Sequence, residues 1–147
     1  MATHNYNSVG IGHVGSYQVA GHPWVSGSLN LGTGAEQKFE FPYVTKKILV
    51  IHNTSTAGAK CRIHWAPQGA GGLEDDAAIP NRGWEANTNR NFIELNADKD
   101  SIEIGVKCAD LYISNHGAVD VSFTVYAELT HIERRHMYAL DGKGIKS

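Results

Sequence analysis

The chain has 147 residues, enough for one domain that buries about two-thirds of the surface its unfolded form would expose. Thirteen Lys and Arg against fifteen Asp and Glu give a net charge of -2, which argues against a basic surface built to bind nucleic acid. No apolar stretch approaches about twenty residues, and residues 1–5 lack the charged and apolar regions of a signal peptide, so we expect synthesis in a cytosol and no membrane partner.

Residues 1–34 are rich in glycine, serine and aromatic residues, which predicts an extended N-terminal arm. Within it, residues 10–15 match the GxGxxG fingerprint of dinucleotide-binding folds. That chemistry needs a buried strand before the glycines and a helix after them, and the flanking residues favour neither. We interpret the glycines as bends in an arm that lies along a neighbouring protein.

Aromatic residues in this arm predict contact with a partner, because a lone arm cannot bury them against itself. We assign Tyr6, His13 and Trp24 to such a contact. An alternative is that Tyr17 and Trp24 belong to a first strand of the folded domain.

Residues 35–131 contain short runs in which apolar and polar residues alternate, the pattern of half-buried strands. The alternation in residues 39–43 predicts a strand that Pro42 places at a sheet edge. Residues 48–51 are apolar on both phases, which predicts a central strand covered on both faces. A further strand is expected at residues 60–65.

The second half of this region begins with a long connection, residues 66–90, which carries Trp84 as a possible loop contact. Strands are then expected at residues 91–95 and 101–108, and residues 110–114 and 119–130 are expected to pair as a hairpin. The alternation is longest in the last of these strands. About seven or eight strands without an amphipathic helix predict an all-β, single-domain sandwich or jelly roll.

No set of residues predicts catalysis or a cofactor. The eight histidines are scattered, Cys61 and Cys108 are expected to be buried free thiols, and no serine lies in a GxSxG elbow. Three consecutive acids at residues 74–76 suggest calcium ligands, but the spacing of known calcium loops is missing. We therefore expect a protein that is not an enzyme and that has no metal site.

Residues 132–147 form a C-terminal tail with four basic residues against two acidic ones. Its residues Arg134, Arg135, Met137 and Tyr138 are expected to contact another chain. The expected organisation is therefore an arm (1–34, part of which can join the sandwich), a core (35–131) and a tail (132–147).

Four segments are similar to sequences of a known group of proteins: residues 14–19 with Gly21-His22-Pro23-Trp24, residues 39–46, residues 111–115, and residues 137–144. They resemble small virion structural proteins of tailed bacteriophages, especially phages of marine bacteria and cyanobacteria. The resemblance implies a β-rich protein on the capsid surface that decorates or cements the shell. It further implies binding to the major capsid protein and assembly as a homo-oligomer, a trimer or a dimer.

Two other functions are compatible with the same pattern. The first is a carbohydrate-binding sandwich module or receptor-binding fibre tip, with Trp65 or Trp84 as a sugar platform and calcium held by Asp75 and Asp76. The second is an enzyme built on a jelly roll, which the scattered acids and histidines favour least.

Overall fold

The computed structural model describes residues 21–65 and 92–138. These ranges contain eight strands and, after the last strand, a 3-10 helix at Arg134–His136, but no α-helix. The strands are β1 (His22–Leu31), β2 (Glu36–Glu40), β3 (Tyr43–His52), β4 (Cys61–His64), β5 (Ile93–Leu95), β6 (Ser101–Ile104), β7 (Asp110–Asn115) and β8 (Val121–Glu133).

The strands form two four-stranded antiparallel sheets. Sheet A has the order β1-β8-β3-β6, and sheet B has the order β2-β7-β4-β5. The first strand thus pairs with the last, the second with the seventh, the third with the sixth and the fourth with the fifth. This nested pairing is the connectivity of a jelly roll, and it confirms the all-β sandwich that the alternation predicted.

The core lies between the sheets and is built from the inward phase of each strand. On β8 this phase is continuous, with Val121, Phe123, Val125 and Ala127 fully buried. Aromatic rings join the sheets edge to face, since Phe39 of β2 lies 6.0 Å from Phe123 between ring centroids. Burying such side chains stabilises the fold by about 1.5–3 kcal/mol each.

The hairpin predicted from residues 110–114 and 119–130 is wrong. Strand β7 pairs with β2 and β4 in sheet B, whereas β8 pairs with β1 and β3 in sheet A. The connection crosses between the sheets, and the Asn115 amide holds it by donating to the carbonyls of Leu31 and Val119, each at 2.9 Å. At Gly117 a Cβ atom would lie 2.5 Å from the Gly58 carbonyl oxygen, so this crossing requires a glycine.

The single strand predicted at residues 39–43 is also wrong. Strand β2 ends at Glu40 and β3 begins at Tyr43, with Pro42 in the turn between them, because the chain passes there from sheet B to sheet A. Sheet B does have β2 at its edge. The strand predicted to reach Cys108 is shorter as well, since β6 ends at Ile104.

Strand β3 has the central position that its apolar residues predicted, between β8 and β6. Its inward residues Ile48 and Val50 are fully buried. Its outward residues Leu49 and Ile51 are only half-buried, so the prediction that both faces are covered does not hold for them.

One buried hydroxyl, that of Thr45, ties strand β3 to the chain between β6 and β7. The register of β3 against β8 is irregular on both sides of Thr45. There the Thr45 hydroxyl donates to the Val106 carbonyl at 2.7 Å and accepts from the Cys108 amide at 3.1 Å. This hydroxyl therefore satisfies two backbone groups that no regular ladder serves.

Both cysteines are free and buried, as the sequence predicted. Burial raises the pKa of the Cys61 thiol to about 12. Burial also raises the pKa of the Cys108 thiol, to about 11, although the hydrogen bond between this thiol and the Thr45 hydroxyl opposes the shift. The two thiols are consequently protonated and unreactive in the folded protein at neutral pH.

Candidate functional site

An open cleft of about 390 Å³ lies at one end of the sandwich, lined by Pro42, Tyr43, Glu133, Arg134 and Arg135. It forms where the first residue of β3 meets the last residue of β8, since Tyr43 and Glu133 are register partners. The Arg134 amide donates to the Pro42 carbonyl at 3.2 Å and fixes the chain as it leaves β8. We call this region the β8-end cleft.

Arg134 is held in place by sheet B. Its guanidinium donates to the Asp110 carboxylate at 2.7 Å, to the Glu40 carboxylate at 3.1 Å and to the Ala109 carbonyl at 3.3 Å. Lys38 joins the same group at 2.6 Å from Glu40. The hydrogen bond and charge of Lys38, with the charge of Arg134, lower the pKa of Glu40. Arg134 therefore anchors the start of the tail.

The residues after Arg134 point to solvent beside the cleft. The Arg135 side chain is 74% exposed and pairs only with its neighbour Glu133, at 2.6 Å, among the described residues. Met137 is half-buried and Tyr138 is 46% exposed. Of the four predicted tail residues, Arg135 and Tyr138 are therefore exposed, Met137 is half-buried, and Arg134 anchors the start of the tail.

A group of aromatic and imidazole rings lies next to the cleft. The His22 ring lies 5.9 Å from the Tyr43 ring and 4.9 Å from the His131 ring, measured between centroids. His22 opens β1, Tyr43 opens β3 and His131 lies near the end of β8. Tyr43 also lines the cleft, so these rings adjoin it, and aromatic rings are common at protein interfaces.

Trp24 lies elsewhere than the arm contact would require. It is part of β1, and its ring packs edge to face against Phe41 at 5.0 Å and Phe39 at 5.9 Å. The alternative prediction, that Trp24 belongs to a first strand, describes this position. Three other predicted contact residues lie outside the described residues: Tyr6, His13 and Trp84.

A second polar cluster on sheet B resembles catalytic residues in composition only. The His64 Nε2 atom lies 2.6 Å from the Ser114 hydroxyl and 3.6 Å from the Glu36 carboxylate. In a catalytic triad the acid and the hydroxyl use different ring nitrogens, whereas here both face the same one. His64 is also fully buried and Ser114 nearly so, which makes this cluster a support for sheet B.

Within residues 21–65 and 92–138 no three His, Cys, Asp or Glu side chains lie close enough together to hold an ion. The acids of residues 74–76 lie outside the described residues. None of the helical segments in the described ranges has the length and apolar character needed to cross a bilayer.

Sequence reasoning missed Pro42, Tyr43, His22 and His131 as neighbours of the tail. The alternation in residues 39–43 predicts a strand that contains the first two, and the sequence separation of His22 and His131 gives no sign that they meet. The signal that unites them is the register of β8 against β1 and β3, which local alternation does not encode.

In comparisons with known proteins, no protein-family model matches this sequence, and no curated protein is significantly similar to it. The fold and the β8-end cleft therefore define a jelly-roll sandwich with an accessible contact surface at one end, and its function has to be argued from these features.

Proposed function

We propose that this protein is a non-enzymatic virion structural protein that decorates or cements the capsid of a tailed phage. It binds the major capsid protein and neighbouring copies of itself on the capsid surface. The observation that carries the proposal is the exposure of Arg135 and Tyr138 beside the β8-end cleft. Both residues follow the end of β8, together with the half-buried Met137.

The sandwich suits this role as a stiff body. Jelly rolls recur in viral capsid and lectin domains, although a fold alone does not define a function. Here the tail leaves from β8, a strand paired on both sides, and Arg134 clamps the exit to sheet B. A contact surface mounted this way loses little conformational entropy when it binds.

The chemistry of the surface favours a capsid patch with acidic and apolar character. Arginine, tyrosine and methionine are enriched in the cores of protein interfaces. Arg135 forms an exposed ion pair with Glu133, two residues away, and such a pair contributes little to the stability of the fold. Arg135 can therefore release Glu133 and pair with a carboxylate of the partner. Many such contacts, repeated by the symmetry of a shell, give high total affinity from weak single sites.

The test is binding to shells assembled from the major capsid protein encoded by the same phage genome. The shells are mixed with the purified protein, sedimented and imaged to measure occupancy. We expect R135A/Y138A to reduce the apparent affinity at least about tenfold, as for central interface residues. K99A is the matched control, since Lys99 is 70% exposed and adjoins the far end of β3.

If R135A/Y138A still occupies the shells fully, the β8-end cleft is not part of the contact with the capsid protein. Absence of any binding by the wild-type chain would reject the capsid role itself. In that case the fibre-tip or sugar-binding function becomes the next candidate, and glycan binding lost on W84A is its test. Of its proposed platform residues, Trp65 packs against the core, which leaves Trp84 as the residue to change.

A further inference from the structure

The outward side of sheet A carries a group of apolar residues that lie outside the core between the two sheets. Val25 of β1, Tyr126 of β8 and Leu49 of β3 are consecutive register partners across three strands, so they form one row on the same face. Ile51 follows on the outward phase of β3. We call these four residues the sheet A patch.

The exposure of the patch is unusual for its residue types. Val25 is 66% exposed, and Leu49, Ile51 and Tyr126 are half-buried. The outward phase of an antiparallel sheet is normally polar where water covers it. The described outward residues of sheet B differ in character, since they include the ion-paired Lys38, Glu40 and Asp110 and no aliphatic side chain. Part of that face is covered, because the outward residues Arg62, His64 and Ser114 are buried.

Charges surround the patch in balanced pairs. Lys47 lies 3.0 Å from Glu103, next to Leu49, and Lys46 lies 3.5 Å from Glu128, next to Tyr126. Two basic and two acidic side chains leave this face with no net charge. A strongly acidic or basic partner would find no complementary charge on this face. A second copy of the same face would place its apolar residues against those of the first without charge repulsion.

We propose that the sheet A patch is the contact between two copies of this chain, which pack face to face about a two-fold axis. A two-fold contact uses the same surface on both partners and so requires a self-complementary one. This inference deepens the copy-to-copy part of the proposed function and rests on it. It assigns neighbouring copies to sheet A and leaves the β8-end cleft to the capsid protein.

The available area places this contact among weak ones. The whole outward face of sheet A, with four strands about 4.8 Å apart and about seven residues long, presents about 450 Å² per copy, or about 900 Å² for the pair. That value lies below the roughly 1,200 Å² of stable complexes and within the range of weak ones. We therefore expect a dimer with a dissociation constant on the order of 0.1 mM, which becomes extensive only when copies are concentrated on a shell.

The test is sedimentation equilibrium of the full chain alone, from about 10 μM to about 1 mM, a range that spans the expected dissociation constant. We expect the wild-type chain to shift from monomer to dimer. V25D should weaken the association at least about tenfold, because it places a charge in the apolar centre. Q37D is the matched control, since it puts the same residue on an exposed position of the other sheet's edge strand.

Salt separates an apolar contact from a charged one. The dimer should persist or strengthen at about 1 M NaCl, where screening reaches within about 3 Å. Far-ultraviolet circular dichroism verifies that V25D is folded, and Y126K provides a second change within the patch. Shell binding by V25D at low occupancy should match that of the wild-type chain, which separates this inference from the capsid contact.

Three results would overturn the inference. The first is a wild-type chain that stays monomeric at about 1 mM, well above the expected dissociation constant. The second is a dimer that Q37D weakens as much as V25D does. The third is a dimer that is lost on removing residues 1–20 but unaffected by V25D, which would assign self-association to the arm.

Discussion

His52 provides a stability prediction that runs against the usual cost of changing a core residue. It ends β3 and is fully buried, and neither ring nitrogen has a hydrogen-bond partner in the described structure. A neutral imidazole carries one N–H donor and one acceptor nitrogen. Replacing the ring in H52L removes both polar atoms and keeps a buried side chain of similar size.

The expected magnitude follows from these two unpaired atoms. An unsatisfied buried polar group costs about 1–3 kcal/mol, and imperfect packing of the new side chain costs up to about 1.5 kcal/mol. We therefore expect H52L to raise the free energy of unfolding by about 1–2 kcal/mol. In a domain of this size each kcal/mol raises the Tm by about 2–4 °C.

Urea denaturation at constant pH, followed by tryptophan fluorescence, measures this change. The midpoint should rise while the slope stays constant, which identifies an effect on stability alone. H131L is the control, because His131 is exposed and its replacement should change stability by less than about 0.5 kcal/mol. A loss of more than about 1 kcal/mol in H52L would refute the reasoning and indicate that the ring is hydrogen-bonded after all.

Three further predictions concern a buried hydroxyl, the two thiols and an exposed carboxylate. T45V should destabilise the protein by about 2–4 kcal/mol, because it leaves the Cys108 amide and a backbone carbonyl without partners. Neither Cys61 nor Cys108 should react with a thiol-specific disulfide reagent at about pH 8 until the protein unfolds, because burial raises both thiol pKa values. The pKa of Glu40 is lowered, so the ionised carboxylate stabilises the fold above its ordinary pKa of 4.5, and this stabilisation is lost as the pH falls through the lowered pKa. We therefore expect the urea midpoint of E40Q to fall less than that of the wild-type protein on acidification.

Each of these predictions has a result that would contradict it. T56V changes an exposed threonine, and a loss equal to that of T45V would show that the hydroxyl contacts are irrelevant. Rapid labelling of either thiol in the native state would contradict its burial. For Glu40, which is exposed, the effect should shrink as salt is added; equal acid sensitivity in E40Q and wild-type protein would remove this carboxylate from the acid response.

Periodicity identified the buried phase of the strands but not their partners. The alternation in β8 correctly placed Phe123 and Val125 inside, since period two is a property of the strand itself. Whether two successive strands pair or cross between sheets depends on contacts such as that of Asn115 with Leu31, 84 residues apart. That contact has no local signature, so alternation alone predicts a hairpin where the chain crosses between the sheets.

The candidate site was predictable to a similar extent. The composition of the tail identified Arg135 and Tyr138 as candidates for contact, because arginine and tyrosine are enriched among the residues that dominate binding at protein interfaces. The supporting role of Arg134 depends on Asp110 and Glu40, residues 24 and 94 positions away that converge only in the folded sandwich. The grouping of the His22, Tyr43 and His131 rings likewise depends on the register of three strands, β1, β3 and β8.

The position of β8 inside sheet A has a mechanical consequence. Its hydrogen bonds to β1 and β3 run across the strand, so a pull on the tail along the strand direction loads both ladders at once in shear. An edge strand peeled sideways would instead break one bond at a time. A sandwich tethered through β8 therefore transmits tension from whatever holds its tail into the whole sheet, and it yields only when both ladders slide together.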